Sequence, residues 1–387
     1  MTSDKISGRR PNWALPGLLL AAIAALLPAV ALAQTAQKYV ITTFAGTGTA
    51  GYSGDAGKAV EAGINQPWGM VLDSSGALFF ADQVNCRVRK IVDGTISTVA
   101  GIASCGYTSD AVAATSAQLN YPTHLAFNSS GNLYIADTVN HLIRKVTAAT
   151  GIITTVAGTG SPGSSGDGGA ATAAKLNFPC GIVLASNGDF YIADRGNDKV
   201  RKVTAATGII TTYAGTGVAG YTGDGGLATA ARLRGPEGVE LGSNGDLYIA
   251  DTSNHAVRRV AAATGVITTI AGTGTAGYTG DGGAATAARL DGPESITVSA
   301  SGDLYVADRG NDVIRRFAVG GTISTIAGTG VAGYSGDGGA ATSAKLDAPA
   351  GIAVDAAGAI YIADTSNRRI RKVSGLLSIV GWVETRV

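Results

Sequence analysis

The 387-residue sequence lacks an excess of charge of either sign, and this limits the partners that the protein can have. It contains 29 Lys and Arg residues against 28 Asp and Glu residues. Proteins that bind nucleic acid present a basic surface to the phosphates. The balanced charge therefore argues against a nucleic-acid partner.

The sequence also lacks a long apolar segment after its first 33 residues, so nothing later in the chain is expected to span a bilayer. At the N-terminus, basic residues precede an apolar run from Trp13 to Leu27, and Ala31-Leu32-Ala33 is a small-x-small cleavage site. This order predicts a secretory signal peptide over residues 1–33, cleaved after Ala33. A transmembrane anchor is the weaker alternative because the run is short and Pro16 and Gly17 interrupt it.

Removal of this segment would leave residues 34–387 as a secreted or periplasmic protein without membrane insertion. Asp4, Lys5, Arg9 and Arg10 carry a net +2, so the formal charge would fall from +1 to −1. The Arg9-Arg10 pair suggests twin-arginine export, although the following Pro-Asn-Trp does not support it. No Cys follows the cleavage site, so no lipid anchor is expected.

A Ser-His-Asp set, a nucleotide-binding loop and a metal motif with strong spacing are all missing from the sequence. The sequence consists mainly of six copies of a unit of about 56 residues. Its clearest phrase is Ala-Asp-x-x-Asn, with the aspartate at Asp82, Asp137, Asp194, Asp251, Asp308 and Asp364. A fixed period of this size indicates a repeat architecture. A residue present in every copy is then expected to be structural, and a residue that breaks the pattern is the better candidate for function.

Each repeat predicts four short strands rich in β-branched and aromatic residues. In one copy they cover residues 238–241, 246–250, 255–260 and 266–272, with Gly, Asn and Asp at the turns. Four-stranded units in series are the blades of a propeller. The predicted fold is an all-β, six-bladed β-propeller over residues 34–387, with one short helical turn in each blade-crossing loop. The blades are expected at about 67–101, 122–158, 179–215, 236–272, 293–328 and 349–381.

The pattern Gly-x-Leu-Tyr-Ile-Ala-Asp-x-x-Asn, followed by Ile or Val and Arg, resembles the NHL repeat family of six-bladed propellers. The Gly-Tyr-Ser-Gly-Asp-Gly-Gly insert is similar to arrays in teneurin-type and bacterial secreted proteins. The resemblance covers residues 38 to about 381. It implies the fold and leaves the function open, since one fold hosts many activities.

The fourth-strand phrase occurs seven times, once more than six blades require. The additional copy is at residues 39–46, and the last copy, at 376–381, is degraded. We expect the N-terminal copy to close the ring by pairing with residues 368–373. The C-terminal copy is then a fifth strand or is frayed.

Repeated charges allow a functional and a structural interpretation. Each third strand carries an arginine, at Arg89, Arg144, Arg201, Arg258, Arg315 and Arg371. A basic RNA-binding face is one possibility, but pairing with the Ala-Asp carboxylates or loop carbonyls is favoured by the sixfold recurrence and the neutral net charge. Six loop aspartates, Asp55, Asp110, Asp167, Asp224, Asp281 and Asp337, offer one carboxylate each, too few for calcium. A cap or turn role is expected for them.

The copies diverge at the residues that follow the repeat proline, where the first strands should enter a central channel. The first of these positions holds Trp68, Thr123, Cys180, Glu237, Glu294 and Ala350, and the next holds Gly69, His124, Gly181, Gly238, Ser295 and Gly351. The candidate binding residues are Trp68, Thr123, His124, Cys180, Glu237 and Glu294. Glu237, Glu294 and His124 are also the candidates for a divalent metal site or for acid–base catalysis. Lactonases of the gluconolactonase type and amidating lyases are similar in placing a metal at this mouth, but their full ligand sets are not matched. The alternative is a ring of solvated polar residues.

Two cysteines break the pattern in the same blade. Cys86 follows the turn asparagine of blade 1 and Cys105 lies in the next crossing loop. In an oxidising compartment this pattern predicts a disulfide, with two buried thiols as the alternative. Cys180 remains as a small apolar residue near the channel.

Three functional hypotheses follow from these positions. The first is a secreted, monomeric binding scaffold that recognises protein or glycan through its loop face. The second is a hydrolase or lyase with one divalent metal at the channel mouth. The third is a purely structural surface module.

Overall fold

The computed structural model describes residues 39–375, which form six antiparallel sheets. In chain order the strands are β1 (Tyr39–Ala45), β2 (Pro67–Leu72), β3 (Leu78–Asp82), β4 (Arg87–Val92), β5 (Thr95–Ala100), β6 (Val112–Ala113), β7 (Pro122–Phe127), β8 (Leu133–Asp137), β9 (Leu142–Val146), β10 (Ile152–Ala157), β11 (Pro179–Leu184), β12 (Phe190–Asp194), β13 (Lys199–Thr204), β14 (Ile209–Ala214), β15 (Val239–Leu241), β16 (Leu247–Asp251), β17 (Ala256–Val260), β18 (Ile267–Ala271), β19 (Pro293–Val298), β20 (Leu304–Asp308), β21 (Val313–Phe317), β22 (Ile323–Ala327), β23 (Pro349–Val354), β24 (Ile360–Asp364) and β25 (Arg369–Gly375). The predicted signal peptide and the C-terminal strand copy at 376–381 lie outside the described residues.

Each sheet is one blade, and four of the six sheets have their strands in sequence order. Blade 1 is β2-β3-β4-β5, blade 3 is β11 to β14, blade 4 is β15 to β18 and blade 5 is β19 to β22. Blade 2 is β7 to β10 with the two-residue β6 added at its outer edge, and blade 6 is β23-β24-β25-β1. The predicted six-bladed, all-β propeller is therefore confirmed.

Short 3-10 turns are the helical elements of residues 39–375. One set lies in the crossing loops, at Ala59–Glu61, Ala114–Ser116, Ala171–Ala173, Ala228–Ala230, Ala285–Ala287 and Ala341–Ser343. The other set follows the second strands, at Gln83–Asn85, Thr138–Asn140, Arg195–Asn197, Thr252–Asn254 and Arg309–Asn311. The predicted helical turn in each crossing loop is present. Within the described part of the chain, no helix is long and apolar enough to cross a membrane.

The hydrophobic core lies between neighbouring blades. Buried residues form six clusters, and each cluster joins the facing sides of two adjacent sheets. Phe80 of blade 1 packs in one cluster with Tyr361 and Ile370 of blade 6, so the first and last blades meet like any other pair. The ring is closed by the same apolar contacts that join its other blades.

Strand β1 occupies the outer edge of the last blade, the position assigned to it from the sequence. It pairs antiparallel with β25, from Tyr39 opposite Gly375 to Thr43 opposite Arg371. Ile41 donates its amide to the Gly339 carbonyl at 3.1 Å and accepts from the Gly338 amide at 2.8 Å. Because β1 supplies the outer strand, the last blade has four strands, as do blades 1, 3, 4 and 5.

A buried charge cluster recurs in every blade and explains the repeated arginines. In blade 5, Arg315 donates from Nη2 to Asp281 at 2.7 Å and contacts Asp308 through Nη1 at 3.4 Å. Both Arg315 and Asp308 are fully buried. The equivalent arginines of the other blades are Arg89, Arg144, Arg201, Arg258 and Arg371, and each pairs with its loop aspartate and its strand aspartate. The expected pairing with the Ala-Asp carboxylates is present in all six blades.

The expected cap role of Asp281 is wrong. The turn Ala285–Ala287 begins after Ala284, whose extended backbone makes no side-chain cap hydrogen bond. Asp281 instead accepts from Arg315, because a fully buried guanidinium needs a carboxylate more than an exposed turn needs a cap. The loop aspartates of the other blades bind their own arginines in the same way.

The closing strand should carry measurable stability. Truncation of the buried Ile41 to Ala should lower the free energy of unfolding by about 2–4 kcal/mol, since it removes apolar contacts and leaves a cavity. Its neighbour Thr42 is exposed, so Thr42→Ala should change stability by less than about 0.5 kcal/mol. Denaturant unfolding measures both. Equal effects of the two substitutions would contradict closure through β1.

Two neighbouring arginines test the charge cluster. Arg315→Met should destabilise by about 3–5 kcal/mol because it leaves Asp308 buried without its cation. Arg316 pairs with Asp303 but is 38% exposed, so Arg316→Met should cost less than about 1 kcal/mol. Urea unfolding of the two variants gives the comparison. A cost for Arg315→Met no larger than for Arg316→Met would show that the buried cluster is not what holds the blade.

Candidate functional site at the channel mouth

The crossing loops, the starts of the first strands and the turns after the second strands lie on one face of the ring. In blade 4 the turn residue Asn254 donates to Gly220 of the crossing loop at 2.7 Å and to Asp251 at 2.8 Å. Asp251 also accepts the amide of Arg234, just before the first strand, at 2.8 Å. The equivalent bonds recur in each blade, so this face is a rigid platform.

The residues after the repeat proline form the inner ring of this platform. The second residue after the proline is glycine in four blades, and a Cβ atom added there would collide with a main-chain carbonyl of the next blade. The contacts are Gly69 with Thr123, Gly181 with Glu237, Gly238 with Glu294, and Gly351 with Trp68. Glycine is therefore required where adjacent first strands approach most closely. Blades 2 and 5 differ, because they have His124 and Ser295 at this position.

Glu237 and Glu294 come together at the mouth, and each is held by an arginine. Arg195 Nε lies 2.8 Å from Glu237 Oε1, and Arg309 Nε lies 2.9 Å from Glu294 Oε2. The carboxylates are buried, whereas Arg195 and Arg309 are 49% and 41% exposed. An ion pair through Nε leaves the two terminal nitrogens of each guanidinium outside the pair.

Burial shapes the protonation of this cluster. Burial, followed by the nearby Glu237 carboxylate, raises the pKa of Glu294 well above its usual range. Two carboxyls placed this closely disfavour each other's ionised form. Burial also lowers the pKa of His124 to about 4, so its imidazole is neutral near pH 7.

Trp68 lies against the same cluster. The Arg309 guanidinium stands 5.1 Å from the centre of the Trp68 ring, within the range of a cation–π contact. The Trp68 indole nitrogen is buried and donates to none of the described residues. Trp68, Glu237 and Glu294 are thus joined through Arg195 and Arg309.

Arg195 and Arg309 were not among the candidate residues predicted from the sequence. A signal was present, since the residue after the Ala-Asp aspartate is Thr in three blades and Gln in one, and Arg only in blades 3 and 5. In blade 4 that residue, Thr252, donates to the carbonyl of Pro293 in the next blade at 2.7 Å. An arginine at this position is longer than threonine and forms an ion pair with a mouth glutamate.

Thr123 and Cys180, two of the predicted binding residues, are occupied by the scaffold. Thr123 Oγ1 contacts Thr138 Oγ1 at 2.7 Å and donates to the Cys180 carbonyl at 3.0 Å. The Cys180 thiol is buried and free, and burial raises its pKa well above the usual value, which suppresses the reactive thiolate. Neither side chain is offered to a ligand.

Two exposed aromatic residues adjoin the mouth and were not predicted. Tyr121 and Phe178 precede the repeat prolines of blades 2 and 3, and each is 40% exposed. Their φ angles are 50° and 47°, in the left-handed region that favours the glycines found at the same slot in blades 4 and 5. Aromatic side chains there carry a conformational cost that Gly235 and Gly292 avoid.

The residues after the turn asparagines link neighbouring blades. His141 Nδ1 accepts the amide of Phe178 at 3.1 Å, and His255 Nδ1 accepts that of Gly292 at 3.1 Å. Asp198 and Asp312 do the same for Gly235 and Ala348 at 2.8 Å. Each of these side chains therefore satisfies a main-chain donor of the next blade.

In blade 1 the same slot holds Cys86, and it forms the predicted disulfide with Cys105 of the following crossing loop. Their Cα atoms are 5.3 Å apart. A covalent link stands here where blades 2 to 5 use a hydrogen bond.

The donor set does not fit a divalent cation. Among residues 39–375, no three His, Cys, Asp or Glu side chains come close enough to hold a metal ion. Glu237 and Glu294 face arginines rather than an open coordination site, and calcium or magnesium requires several free oxygens. No step is therefore derived through a metal at this mouth.

Comparison with known proteins agrees with this architecture. Residues 331–385 match the teneurin NHL domain, and residues 119–146 and 233–259 match the NHL repeat. Teneurin-4 of Mus musculus is 30% identical over 230 residues, which are 53% of this chain and 8% of teneurin-4. The chain is an NHL-repeat β-propeller.

The NHL propeller also resembles a plant protein over a larger part of its length. Suppressor of quenching 1, chloroplastic, of Arabidopsis thaliana is 31% identical over 269 residues, which are 66% of this chain and 25% of that protein. The chain thus spans a quarter or less of the length of these relatives.

Solved structures of other proteins share the fold. An auxiliary nutrient binding protein from Bacteroides ovatus has a TM-score of 0.64 at 21% identity, covering 87% of this chain and 77% of that one. A streptogramin B lyase has a TM-score of 0.52 at 15% identity, covering 87% and 98%. At these identities the likeness shows the propeller architecture alone.

The disulfide of the NHL propeller predicts a thiol count and a stability loss. The denatured, unreduced protein should titrate with one thiol, Cys180, and with three after reduction. The double variant Cys86→Ser, Cys105→Ser should be less stable by about 3 kcal/mol in the chain-entropy model. Cys180→Ser serves as the control, with the disulfide intact and no thiol left. Three free thiols without reduction would contradict the bond.

Proposed function

We propose that this NHL propeller is a secreted binding module whose channel-mouth face recognises an acidic glycan. The observation that carries the proposal is the composition of that face. Exposed aromatic rings lie on blades 2 and 3, and half-exposed guanidiniums lie on blades 3 and 5. Flat rings offer contact area at a low cost in conformational entropy, and guanidiniums bind carboxylates in a planar, two-bond geometry.

The charge of the mouth favours an anionic ligand. Arg195 and Arg309 are already oriented by Glu237 and Glu294, so their terminal nitrogens need little further ordering when a carboxylate arrives. The raised pKa of Glu294 favours its neutral form, so this glutamate balances the positive charge of the arginines less fully. Aromatic rings beside preorganised cations suit a sugar surface with acidic groups.

The enzymatic alternative, a metal-dependent hydrolase or lyase, has less support from this geometry. Its three candidate residues are Glu237, Glu294 and His124, and the two carboxylates are paired with arginines. The resemblance to a lyase and to a nutrient binding protein is one of fold and does not choose between catalysis and binding.

Secretion is part of the proposal. The Cys86–Cys105 disulfide is compatible with an oxidising compartment, where such bonds form and persist. The predicted signal peptide at residues 1–33 would deliver the chain there. An N-terminal sequence starting at Gln34 in the exported protein would support this localisation.

Binding to polysaccharides tests the function. Affinity electrophoresis should show retardation of the wild-type protein by polygalacturonate, an acidic glycan, and none by neutral dextran. Added salt should weaken the retardation because it screens the arginines. Variants that insert the residue of another blade, Tyr121→Gly with Phe178→Gly and Arg195→Thr with Arg309→Thr, should each weaken binding at least tenfold.

Val218→Thr with Val331→Thr is the matched control, because both valines are exposed loop residues and the equivalent position in another copy is Thr275. This variant should bind like the wild type. Equal loss in the control, or equal retardation by dextran, would overturn the proposal. A stoichiometric divalent ion in the purified protein, lost in a Glu237→Ala, Glu294→Ala variant, would favour the enzyme instead.

A further inference from the structure

Beneath the mouth, the first strands of all six blades enclose a cavity of about 300 Å³. Each blade contributes an aliphatic residue at the third position after its proline, which is Met70, Leu125, Ile182, Val239, Ile296 and Ile352. A concave space of this size, lined by aliphatic side chains together with polar groups, is typical of small-molecule sites. The cavity is distinct from the mouth surface, since Glu237, Glu294, Arg195 and Arg309 do not line it.

The lining also contains polar side chains, among them the hydroxyl groups of Ser295 and Thr297 and one carboxyl group. Glu240 occupies the fourth position after the proline, where the other blades carry Val71, Ala126, Val183, Thr297 and Ala353. Its carboxyl accepts the amide of its neighbour Leu241 at 3.0 Å. It has no cationic partner among residues 39–375, in contrast to Glu237 and Glu294. The Glu240 side chain is partly exposed to the cavity. Burial raises the pKa of Glu240 to about 7.

The imidazole of His124, on blade 2, lines the same cavity. Both ring nitrogens of His124 are buried, and neither has a hydrogen-bond partner in the described structure. A buried polar nitrogen without a partner costs free energy, and most such groups in proteins are satisfied. The neutral imidazole can accept one hydrogen bond and donate another. It is placed where four other blades have glycine.

We propose that this cavity binds a small organic cation, an amine with an apolar body. An ammonium group would be the cationic partner of the Glu240 carboxylate, and it could donate a second N–H to His124. The aliphatic ring of six side chains would hold the hydrocarbon part. A divalent metal fits less well, because one carboxyl and one imidazole fall short of the ligands it requires.

Three probes of the same shape and different charge test this site. Calorimetric titration at pH 8 should show saturable 1:1 binding of cyclohexylammonium. Cyclohexanol should bind at least tenfold more weakly, and cyclohexanecarboxylate should not bind. Ammonium binding no tighter than that of the alcohol would overturn the proposal, because the site would then be apolar only.

Two variants of Glu240 locate the binding. Glu240→Val places the residue of blades 1 and 3 at this position and should remove the preference for the ammonium probe, as should Glu240→Gln. The exposed-loop variant Val218→Thr with Val331→Thr should bind cyclohexylammonium like the wild type. Unchanged ammonium binding in both folded Glu240 variants would refute the assignment, and if they fail to fold, the comparison of the three probes decides alone.

Discussion

The buried pairing of each third-strand arginine with two aspartates is the interaction on which the rest of the propeller depends. It ties three segments of every blade together, since Asp281 belongs to the crossing loop, Arg315 to the third strand and Asp308 to the end of the second strand. Asn311 and the amide of Asp291 complete the coordination of Asp308. A buried ion pair adds little net stability over an apolar contact, but it is costly to break from one side. Its sixfold recurrence therefore fixes the geometry of one face, and that face carries the mouth.

Because the scaffold is set by these clusters, the inner ring can vary only where the packing of neighbouring blades allows. Glycine is required where a first strand meets the carbonyl of the next blade, as at Gly181 and Gly238. The position before it is free to change, and here the six blades differ most. The arginines after the second strands follow the same logic, because Thr252 bridges to the next blade while Arg195 and Arg309 reach into the mouth. Sequence variation and structural freedom coincide at this ring.

Comparison of the copies with one another was enough to predict the blades, the closing strand's position and the Cys86–Cys105 pair. Each of these depends on a local pattern or on a register that the repeat imposes. The partners of the mouth glutamates could not be predicted in this way. Arg195 reaches Glu237 of the next blade, whereas Arg309 reaches Glu294 of its own blade and Trp68 two blades further on. These contacts depend on side-chain direction across the ring, which no spacing along the chain encodes. The role of Asp281 was missed for a related reason, since a cap is a local device and its arginine lies 34 residues away.

The two polar sites on the channel axis follow opposite electrostatic rules. At the mouth, two acidic residues lie beside two basic ones, so each buried carboxyl has an arginine as a cationic partner. In the channel, Glu240 has no cationic partner and accepts the amide of Leu241, and neither ring nitrogen of His124 has a hydrogen-bond partner within residues 39–375. Burying such groups is unfavourable, and the copies show that the fold does not require them, since Val, Ala, Thr and Gly fill the same positions elsewhere. A group that costs free energy and that the scaffold can replace is best explained by a partner outside the chain. For an unpaired carboxyl above a ring of aliphatic side chains, that partner is a cation with a hydrocarbon body.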